Sequence, residues 1–393
     1  MSSLPFLPYA RQYIDTTDVN AAASTLSADI ITRGPIVDAF EKEVAAYCGA
    51  KYAVAFNTGS TALAAACHAA GVGPGDKLIS TPNTFVASVI AGMHKGATPV
   101  FVDIDRNTGN IDLKKAGFNL EPKLSRGRYV LMPVHFAGIP VDVKKLSQML
   151  MNQDDIIIED AAHALGTLYT DGSKIGSCQW SDMTIFSFHP AKTITTGEGG
   201  IVTTNNSELA HKLQLFRNNG IERSPEYVKA SPLPYDGYYE VTEMTGNYNF
   251  TEFQAALGLS QLKKIDKFIL KRRELIKHYR ELLKEIPNIR LFTNEFDDHT
   301  AFHLCVVQID FAAYKTTRGK VVSALKDQNI GTQVHYIPVY HHPAFTKIHG
   351  DISSYFPEME TYYSQALTLP LYYSLRKEDV ERVVTSLKKV LSY

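Results

Sequence analysis

Short apolar runs alternate with helical segments over residues 15–205, and this alternation limits what the chain can fold into more than any other feature. Runs such as Tyr52–Phe56, Tyr129–Val134 and Asp155–Ile158 are nearly all apolar, as is typical of strands buried on both faces of a sheet. Strands separated by helices predict an α/β architecture with a mostly parallel central sheet flanked by helices. Ligands of such sheets bind beyond the carboxyl ends of the strands, so residues that follow the strands are the first functional candidates.

The length of the chain predicts two domains. It has 393 residues, and single hydrophobic cores stop growing near ~250–300 residues. A stretch from Thr251 to about Glu285 carries apolar residues at helical spacing, and it is predicted to form one long linking helix. We expect a larger domain at 1–269 and a smaller α+β domain at 270–393, with strands at His303–Ile309 and Gly331–Tyr336.

The charge balance and the cysteines narrow the class of protein. Lys and Arg number 40 against 41 Asp and Glu, whereas a nucleic-acid or membrane-surface partner calls for a basic excess or stripe. We therefore expect neither partner. The four cysteines are scattered without metal-binding spacing, no apolar run approaches the ~18 residues of a membrane span, and no secretory signal is visible. These features predict a cytoplasmic protein without a bound metal.

The segment S-F-H-P-A-K-T-I-T-T-G-E-G-G, residues 187–200, contains the most informative lysine. A strand is predicted to end at Phe188, a short loop carries Lys192, and a glycine-rich turn leads into the next strand. Most lysines in such loops are simply solvated. Lys192, however, lies among Thr, His and apolar residues, and a lysine in a partly dry site has a lowered pKa and can form a Schiff base with an aldehyde.

Asp160 follows three isoleucines that predict a buried strand, so its carboxylate lies at the carboxyl end of that strand. Two interpretations are equally open. Asp160 could cap a following helix, A-A-H-A-L, or it could meet a cationic partner, as a buried carboxylate requires. That partner could be Lys192 or the protonated nitrogen of a pyridine ring. His163 could reach the same ligand, although most single histidines only satisfy local hydrogen bonds.

Two other predicted strand ends carry small polar or aromatic residues. In A-F-N-T-G-S-T-A-L, residues 55–63, a strand leads into a helix whose first N–H groups, with the Ser60 and Thr61 hydroxyls, could hold a phosphate. The segment is neither a Walker loop nor G-x-G-x-x-G, and small polar helix caps are common. Phe85 follows the next strand and could stack on a planar ring, although a core phenylalanine is the commoner case.

Together these segments resemble the nucleotide-sugar aminotransferases, which are pyridoxal 5'-phosphate (PLP) enzymes of fold type I. The order is the same: a phosphate loop, a stacking aromatic, an E-D-A-A-H aspartate, and then S-F-x-x-x-K-x-x-x-x-G-E-G-G. The resemblance extends from G-P-I-V-D-A-F-E-K-E-V-A (34–45) to Q-V-H-Y-I-P-V-Y-H-H-P-A-F (333–345). It implies this fold with residues 1–269 as the PLP-binding domain, transaminase activity with PLP and its pyridoxamine form (PMP) as cofactor, and glutamate, 2-oxoglutarate and a nucleotide sugar as partners.

Position by position, the resemblance implies a role for each candidate. Lys192 is implied to bind PLP covalently, Asp160 to pair with the pyridine nitrogen, and His163 to contact the ring hydroxyl. Lys192 and Asp160 are thus the implied catalytic residues. The phosphate ligands and the stacking ring are implied to be Ser60, Thr61, Ser187 and Phe85. Asn247 is implied to reach the phosphate of a neighbouring subunit, and hence a homodimer with shared active sites is expected.

Finer similarities concern the substrate. Three segments are most similar to the pseudaminic-acid branch of the family: Y-A-R-Q (9–12), H-P-A-K-T-I-T-T-G-E-G-G (189–200) and Q-V-H-Y-I-P-V-Y (333–340). That branch aminates C4 of a UDP-linked 4-keto-6-deoxy-N-acetyl hexose with L-glutamate. The implied substrate contacts are Tyr9, Arg11, His189 and Tyr336. Asn249 departs from the pattern, because relatives usually carry arginine at that position.

Three alternatives are open. The substrate could be another UDP- or dTDP-linked 4-keto-6-deoxy sugar. A sugar dehydratase of the same fold is less favoured, because such enzymes carry histidine where this chain has Lys192. A non-catalytic PLP-binding regulator is also less favoured, since it would more typically lack the lysine or carry a DNA-binding extension, and neither is seen.

Overall fold

Seven strands form the central sheet of the protein, as shown by a computed structural model that describes residues 5–119, 127–150, 154–230 and 232–392. Their bounds are Tyr52–Phe56 (β1), Lys77–Ser80 (β2), Thr98–Phe101 (β3), Tyr129–Leu131 (β4), Ile156–Asp160 (β5), Met183–Ser187 (β6) and Gly200–Thr204 (β7). Their order is β1-β7-β6-β5-β4-β2-β3. Strand β7 is antiparallel to both of its neighbours, while the other adjacent pairs are parallel. The predicted mostly parallel α/β sheet is confirmed.

Helices cover both faces of this sheet. Their bounds are Thr16–Thr25 (α1), Pro35–Cys48 (α2), Gly59–Ala69 (α3), Val86–Met93 (α4), Leu113–Asn119 (α5), Val143–Met149 (α6) and Ser207–Arg217 (α7). Side chains of β1 alternate between two cores: Val54 and Phe56 pack in the cluster that contains α3, while Ala53 and Ala55 pack in the cluster that contains α2. Burial on both faces explains why the parallel strands are apolar throughout.

The long helix predicted from Thr251 to Glu285 is two helices, Glu252–Leu262 (α8) and Ile265–Leu283 (α9). Between them, the Lys264 ammonium lies 2.7 Å from a carboxylate oxygen of Asp15 and 2.9 Å from one of Asp18, at the start of α1. These ion pairs hold the junction between α8 and α9 against the start of α1. The single-helix prediction was therefore wrong because a tertiary contact overrides the continuous apolar periodicity.

The remaining elements are Ile221–Glu222 (β8), Glu240–Val241 (β9), Ile289–Leu291 (β10), Cys305–Ile309 (β11), Ala366–Leu369 (β12), Arg318–Asp327 (α10), Pro343–His349 (α11), Pro357–Gln365 (α12) and Lys377–Val390 (α13). A smaller antiparallel sheet has its strands in the order β10-β11-β12. The domain boundary near 270 stays a prediction. Helix α9 runs through it, with Phe268 in one core cluster and Leu275 in another.

The strand predicted at Gly331–Tyr336 does not form. Only Gln333 pairs, through a bridge to Thr368. The Tyr336 N–H instead donates to the Asn83 side chain at 3.2 Å, and the His335 carbonyl accepts the Tyr362 hydroxyl at 2.6 Å. Side chains thus form the hydrogen bonds to backbone groups that a neighbouring strand would otherwise form.

Within the described part of the chain, no helix is long and apolar enough to cross a membrane.

Candidate active site

Lys192 and Asp160 come together because β5 and β6 are parallel neighbours. Asp160 is the last residue of β5 and lies opposite Ile185 of β6. The chain then leaves β6 and turns at Lys192, whose N–H donates to the His189 carbonyl at 2.9 Å. Burial lowers the pKa of Lys192 to about 8, and the nearby Asp160 carboxylate partly opposes this lowering. The structure thus contains a weakly basic lysine beside a carboxylate.

Asp160 does not cap a helix. Residues 161–165 form successive turns rather than an α-helix, and the N–H groups of Ala164 and Thr167 each bond back to a carbonyl three residues earlier. The Asp160 side chain, 5% exposed, instead accepts the Ala162 N–H at 3.0 Å and the Ser88 hydroxyl at 2.5 Å. The helix-cap interpretation was wrong because tight turns follow the strand.

The His163 ring has a defined tautomer. Its Nδ1 lies 3.2 Å from the Ala137 N–H, which can only donate. Its Nε2 lies 3.1 Å from the Tyr336 hydroxyl. Burial, and then the charge of Lys192, lowers the pKa of His163 well below its ordinary value. The ring is therefore neutral, carries its proton on Nε2, and donates it to Tyr336.

Two histidines that the sequence analysis did not single out surround the same lysine. The His303 ring lies 4.4 Å from the His163 ring, and His335 lies 2.8 Å from the Thr368 hydroxyl. Burial and then the charge of Lys192 lower the pKa of both, that of His335 to about 3. His335 could have been found from the sequence because it directly precedes Tyr336, a predicted substrate contact. The sequence around His303 offers no such indication. Neutral histidines leave Lys192 as the basic group among them.

Ser88 is a further residue that sequence reasoning missed. It is fully buried in the first turn of α4 and contacts the Asp160 carboxylate. A hydroxyl within the otherwise small and apolar segment V-A-S-V-I-A-G-M was the available signal, because a buried hydroxyl requires a hydrogen-bond partner.

The start of α3 forms a tight cradle. A Cβ atom on Gly59 would lie 2.9 Å from Cβ and 3.0 Å from Oγ of Ser187, so only glycine lets the helix start approach that serine. A Cβ on Gly200 would overlap the Thr58 carbonyl. The first N–H groups of an α-helix have no partner within the helix, and they favour an anion. The Thr61 N–H is already taken by the Thr58 hydroxyl at 3.0 Å, whereas Ser60 is exposed.

The other candidates lie around this centre or at the surface. Phe85 is 57% exposed, so it is not a core residue, and its ring lies 6.3 Å from that of Tyr336. Tyr9 is half-buried, and its ring is 5.5 Å from that of His335. Arg11, His189 and Asn247 are exposed, as Ser60 and Phe85 are.

The residues present fit pyridoxal phosphate. The weakly basic Lys192 suits its aldehyde, the buried Asp160 carboxylate suits its ring nitrogen, and the glycine cradle at α3 suits its phosphate. Each group lies where a mostly parallel sheet positions ligands, beyond the carboxyl ends of strands.

Fold and site together define a PLP-dependent enzyme of fold type I. The sequence profile of the DegT/DnrJ/EryC1/StrS aminotransferase family matches residues 12–388, and the chain belongs to this family. The spore coat polysaccharide biosynthesis protein SpsC of Bacillus subtilis (strain 168) is 39% identical over 98% of this chain and 97% of its own. A UDP-4-amino-4-deoxy-L-arabinose–oxoglutarate aminotransferase of Shewanella sediminis is 31% identical over 98% of both chains.

Solved structures agree with this assignment. Helicobacter pylori PseC, an aminotransferase of pseudaminic acid biosynthesis, matches with a TM-score of 0.88 at 28% identity over 98% of this chain and 99% of that one. Spr1654 from Streptococcus pneumoniae, solved in PLP and PMP forms, matches with a TM-score of 0.87 at 25% identity over 98% of this chain. The protein is a sugar aminotransferase with PLP as its cofactor.

Proposed function

We propose that this protein transfers the amino group of L-glutamate to the C4 keto group of a UDP-linked 4-keto-6-deoxy-N-acetyl hexose. The product is UDP-4-amino-4,6-dideoxy-N-acetyl-β-L-altrosamine, a step of pseudaminic acid biosynthesis. The observation that carries the chemistry is the weakly basic amine of Lys192 beside the Asp160 carboxylate. The likeness to PseC and the segments at 9–12 and 333–340 support the choice of sugar.

Lys192 is assigned two tasks: covalent attachment of the cofactor and movement of a proton. Pyridoxal phosphate, when bound, supplies an aldehyde carbon and an electron-accepting ring. An unperturbed lysine, with a pKa of ~10.4, is almost wholly protonated at neutral pH. The Lys192 amine, with a pKa of about 8, has a useful neutral fraction there, so it can take the proton from Cα of glutamate. The same amine returns a proton when the sugar receives nitrogen.

The other residues bind and orient. Asp160 is assigned to the pyridine nitrogen, because its buried carboxylate favours a protonated partner. Phe85 is assigned to the face of the ring. The phosphate is assigned to the start of α3 together with the hydroxyls of Ser60, Thr61 and Ser187.

The geometry of His163 adds Tyr336 to the proposal. His163 donates its Nε2 proton to the Tyr336 hydroxyl at 3.1 Å, so the tyrosine proton is directed elsewhere. Burial, and then the charges of Asp160 and Tyr9, raise the pKa of Tyr336. Tyr336 is therefore a hydrogen-bond donor to the bound cofactor or sugar, and His163 orients it. Tyr9, Arg11 and His189 are assigned to the sugar nucleotide.

We propose a homodimer in which Asn247 serves the neighbouring site. The Asn249 amide, at the position where relatives usually carry arginine, donates to the Asn247 side chain at 2.7 Å and to that of Asn218 at 3.3 Å. Asn249 thus orients Asn247, which is exposed. In the segment before Asn247, Val241 and Met244 are 58% and 98% exposed, so both apolar side chains are accessible to a neighbouring subunit.

Subunit mixing tests the shared site. Lys192→Ala and Asn247→Ala homodimers should each be inactive or weak. If Asn247 acts on the neighbouring subunit, a mixed dimer contains one site with both residues intact, and activity returns when the two proteins are unfolded and refolded together. If activity does not return although mass spectrometry detects mixed dimers, Asn247 does not act across the interface.

A substrate panel tests the sugar. The likeness to the arabinose enzyme favours a UDP-linked 4-keto pentose as the second candidate. Purified protein, 15N-glutamate and each keto-sugar nucleotide are incubated, and NMR identifies the labelled product. We expect the highest kcat/KM with the 4-keto-6-deoxy-N-acetyl hexose carried by UDP. A preference for the pentose would assign the second candidate, a preference for a dTDP sugar would assign a different nucleotide, and dehydration without nitrogen transfer would indicate a dehydratase.

A further inference from the structure

The Asp160 carboxylate is held by two donors of different kinds. Oδ1 accepts the Ala162 N–H at 3.0 Å, and Oδ2 accepts the Ser88 hydroxyl at 2.5 Å. The first donor belongs to the turn after β5. The second reaches across from the first turn of α4, a separate element. Ser88 is 0% exposed and Asp160 is 5% exposed, so water contributes little to holding this carboxylate.

The hydroxyl protons in this contact have one consistent arrangement. Ser88 Oγ lies 2.8 Å from the Thr84 hydroxyl and 3.1 Å from the Phe85 carbonyl, as well as 2.5 Å from Asp160 Oδ2. Ser88 has a single proton, and an ionised carboxylate is the strongest acceptor of the three. The Ser88 proton therefore goes to Asp160, and Thr84 donates its own proton to Ser88. The result is a directed chain from Thr84 through Ser88 to Asp160.

We propose that Ser88 is a positioning residue that keeps the Asp160 carboxylate aimed at the ring nitrogen of the cofactor. This inference rests on the proposed role of Asp160. A hydrogen bond to a carboxylate stabilises its negative charge, and this one also prevents rotation of the carboxylate about its last bond. Without it, the carboxylate can turn away from the ring nitrogen, which then holds its proton less tightly. The ring then accepts electrons less well, so Ser88 acts on the chemical step through Asp160.

The test uses the holoenzyme reconstituted with PLP that carries 15N in its ring, because the NMR shift of that nitrogen reports its proton directly. In the Ser88→Ala holoenzyme we expect the ring nitrogen to lose its proton at a pH about one unit lower than in the wild type, and kcat to fall about tenfold. KM for glutamate should change less than about twofold, because Ser88 acts only after binding.

Three further variants distinguish a positioning role of Ser88 from a nonspecific effect of changing a buried side chain. Ser88→Thr keeps the hydroxyl and should restore both the nitrogen signal and kcat. Thr84→Val removes only the donor to Ser88 and should shift the nitrogen titration in the same direction by less. Ser80→Ala removes another buried hydroxyl, one that donates to the Met132 carbonyl at 2.8 Å, and should leave the nitrogen signal unchanged.

Each outcome decides the matter. A Ser88→Ala holoenzyme with the wild-type nitrogen titration overturns the inference, as does a Ser80→Ala holoenzyme that shifts equally. If Ser88→Ala does not fold, Thr84→Val alone decides by the same signal. Failure of the wild-type protein to bind PLP at Lys192 would instead overturn the proposed function, and the two failures are therefore distinguishable.

Discussion

His163 donates a hydrogen bond from Nε2 to the Tyr336 hydroxyl across 3.1 Å, which links the turn after β5 to the segment before α11. In a Tyr336→Phe variant the buried His163 Nε2–H loses this partner. Because an unsatisfied buried donor costs ~1–3 kcal/mol, we expect the free energy of unfolding of the apoenzyme to fall by about that amount. Urea denaturation followed by circular dichroism measures it.

Tyr355→Phe is the matched control for that measurement. Tyr355 is 75% exposed, and such surface changes usually stay within ~0.5 kcal/mol. A Tyr336→Phe variant as stable as this control would show that the His163 contact contributes nothing measurable.

The rate at which the apoenzyme takes up PLP should depend on pH through Lys192. Only the neutral amine attacks an aldehyde, and the pKa of Lys192 is lowered to about 8. The rate should therefore rise about tenfold per pH unit well below 8 and level off above it. Stopped-flow absorbance measures this rate. A plateau reached only near ~10.4, the ordinary lysine value, would contradict the lowered pKa.

Asp160→Asn should shift that pH profile in a defined direction. The Asp160 charge raises the pKa of Lys192 against the larger effect of burial, so its removal should move the midpoint to lower pH. The same stopped-flow experiment measures the shift. An unmoved midpoint would show that the two side chains do not interact.

Asp160→Asn should also lower kcat. The transition state should lose several kcal/mol of stabilisation, since hydrogen bonds to charged groups alone contribute ~1.5–3 kcal/mol. Steady-state kcat with saturating glutamate and keto sugar measures the effect. A kcat within about tenfold of the wild type, a difference of ~1.4 kcal/mol, would show that Asp160 has no role at the ring nitrogen.

Gly59→Ala should weaken PLP binding. Its new Cβ would lie 2.9 Å from Cβ of Ser187, so the start of α3 and the serine must move apart and the phosphate cradle widens. We expect Kd for PLP to rise at least about tenfold, equivalent to ~1.4 kcal/mol, by fluorescence titration of the apoenzyme. Gly319→Ala is the control, because Gly319 also lies in the first turn of a helix but its Cβ would meet nothing within 4 Å. Equal Kd values for PLP in the two variants would show that the close contact between Gly59 and Ser187 does not matter for PLP binding.

The sequence predicted the elements of the large sheet because their apolar runs are buried on both faces. Residues placed at strand ends, Asp160 and Lys192 among them, followed from the general position of ligands in such sheets. Tertiary contacts were not predictable in this way. The break before α9 depends on Lys264 reaching α1, and the irregular segment at 331–336 depends on side chains that bond its backbone.

The sequence predicted the central residues of the candidate site, but it did not predict the residues that surround them. Lys192 stands in a segment with a distinctive spacing, whereas Ser88 and His303 meet the candidate site only through neighbours distant in sequence. Thus Ser88, in the first turn of α4, contacts Asp160 at the end of β5, and His303 meets His163 because the loop before β11 folds back onto the site. The sequence marks Ser88 only as a hydroxyl in an apolar segment, and nothing in it indicates the partners of Ser88 or His303.

The central claim is that Lys192 binds the cofactor covalently, and peptide mapping tests it most directly. The holoenzyme is reduced with borohydride, digested and analysed by mass spectrometry. We predict a pyridoxyl phosphate adduct on Lys192, together with loss of both that adduct and turnover in the Lys192→Ala variant. An adduct on a different lysine of the wild-type protein, or full transamination by Lys192→Ala, would contradict the account.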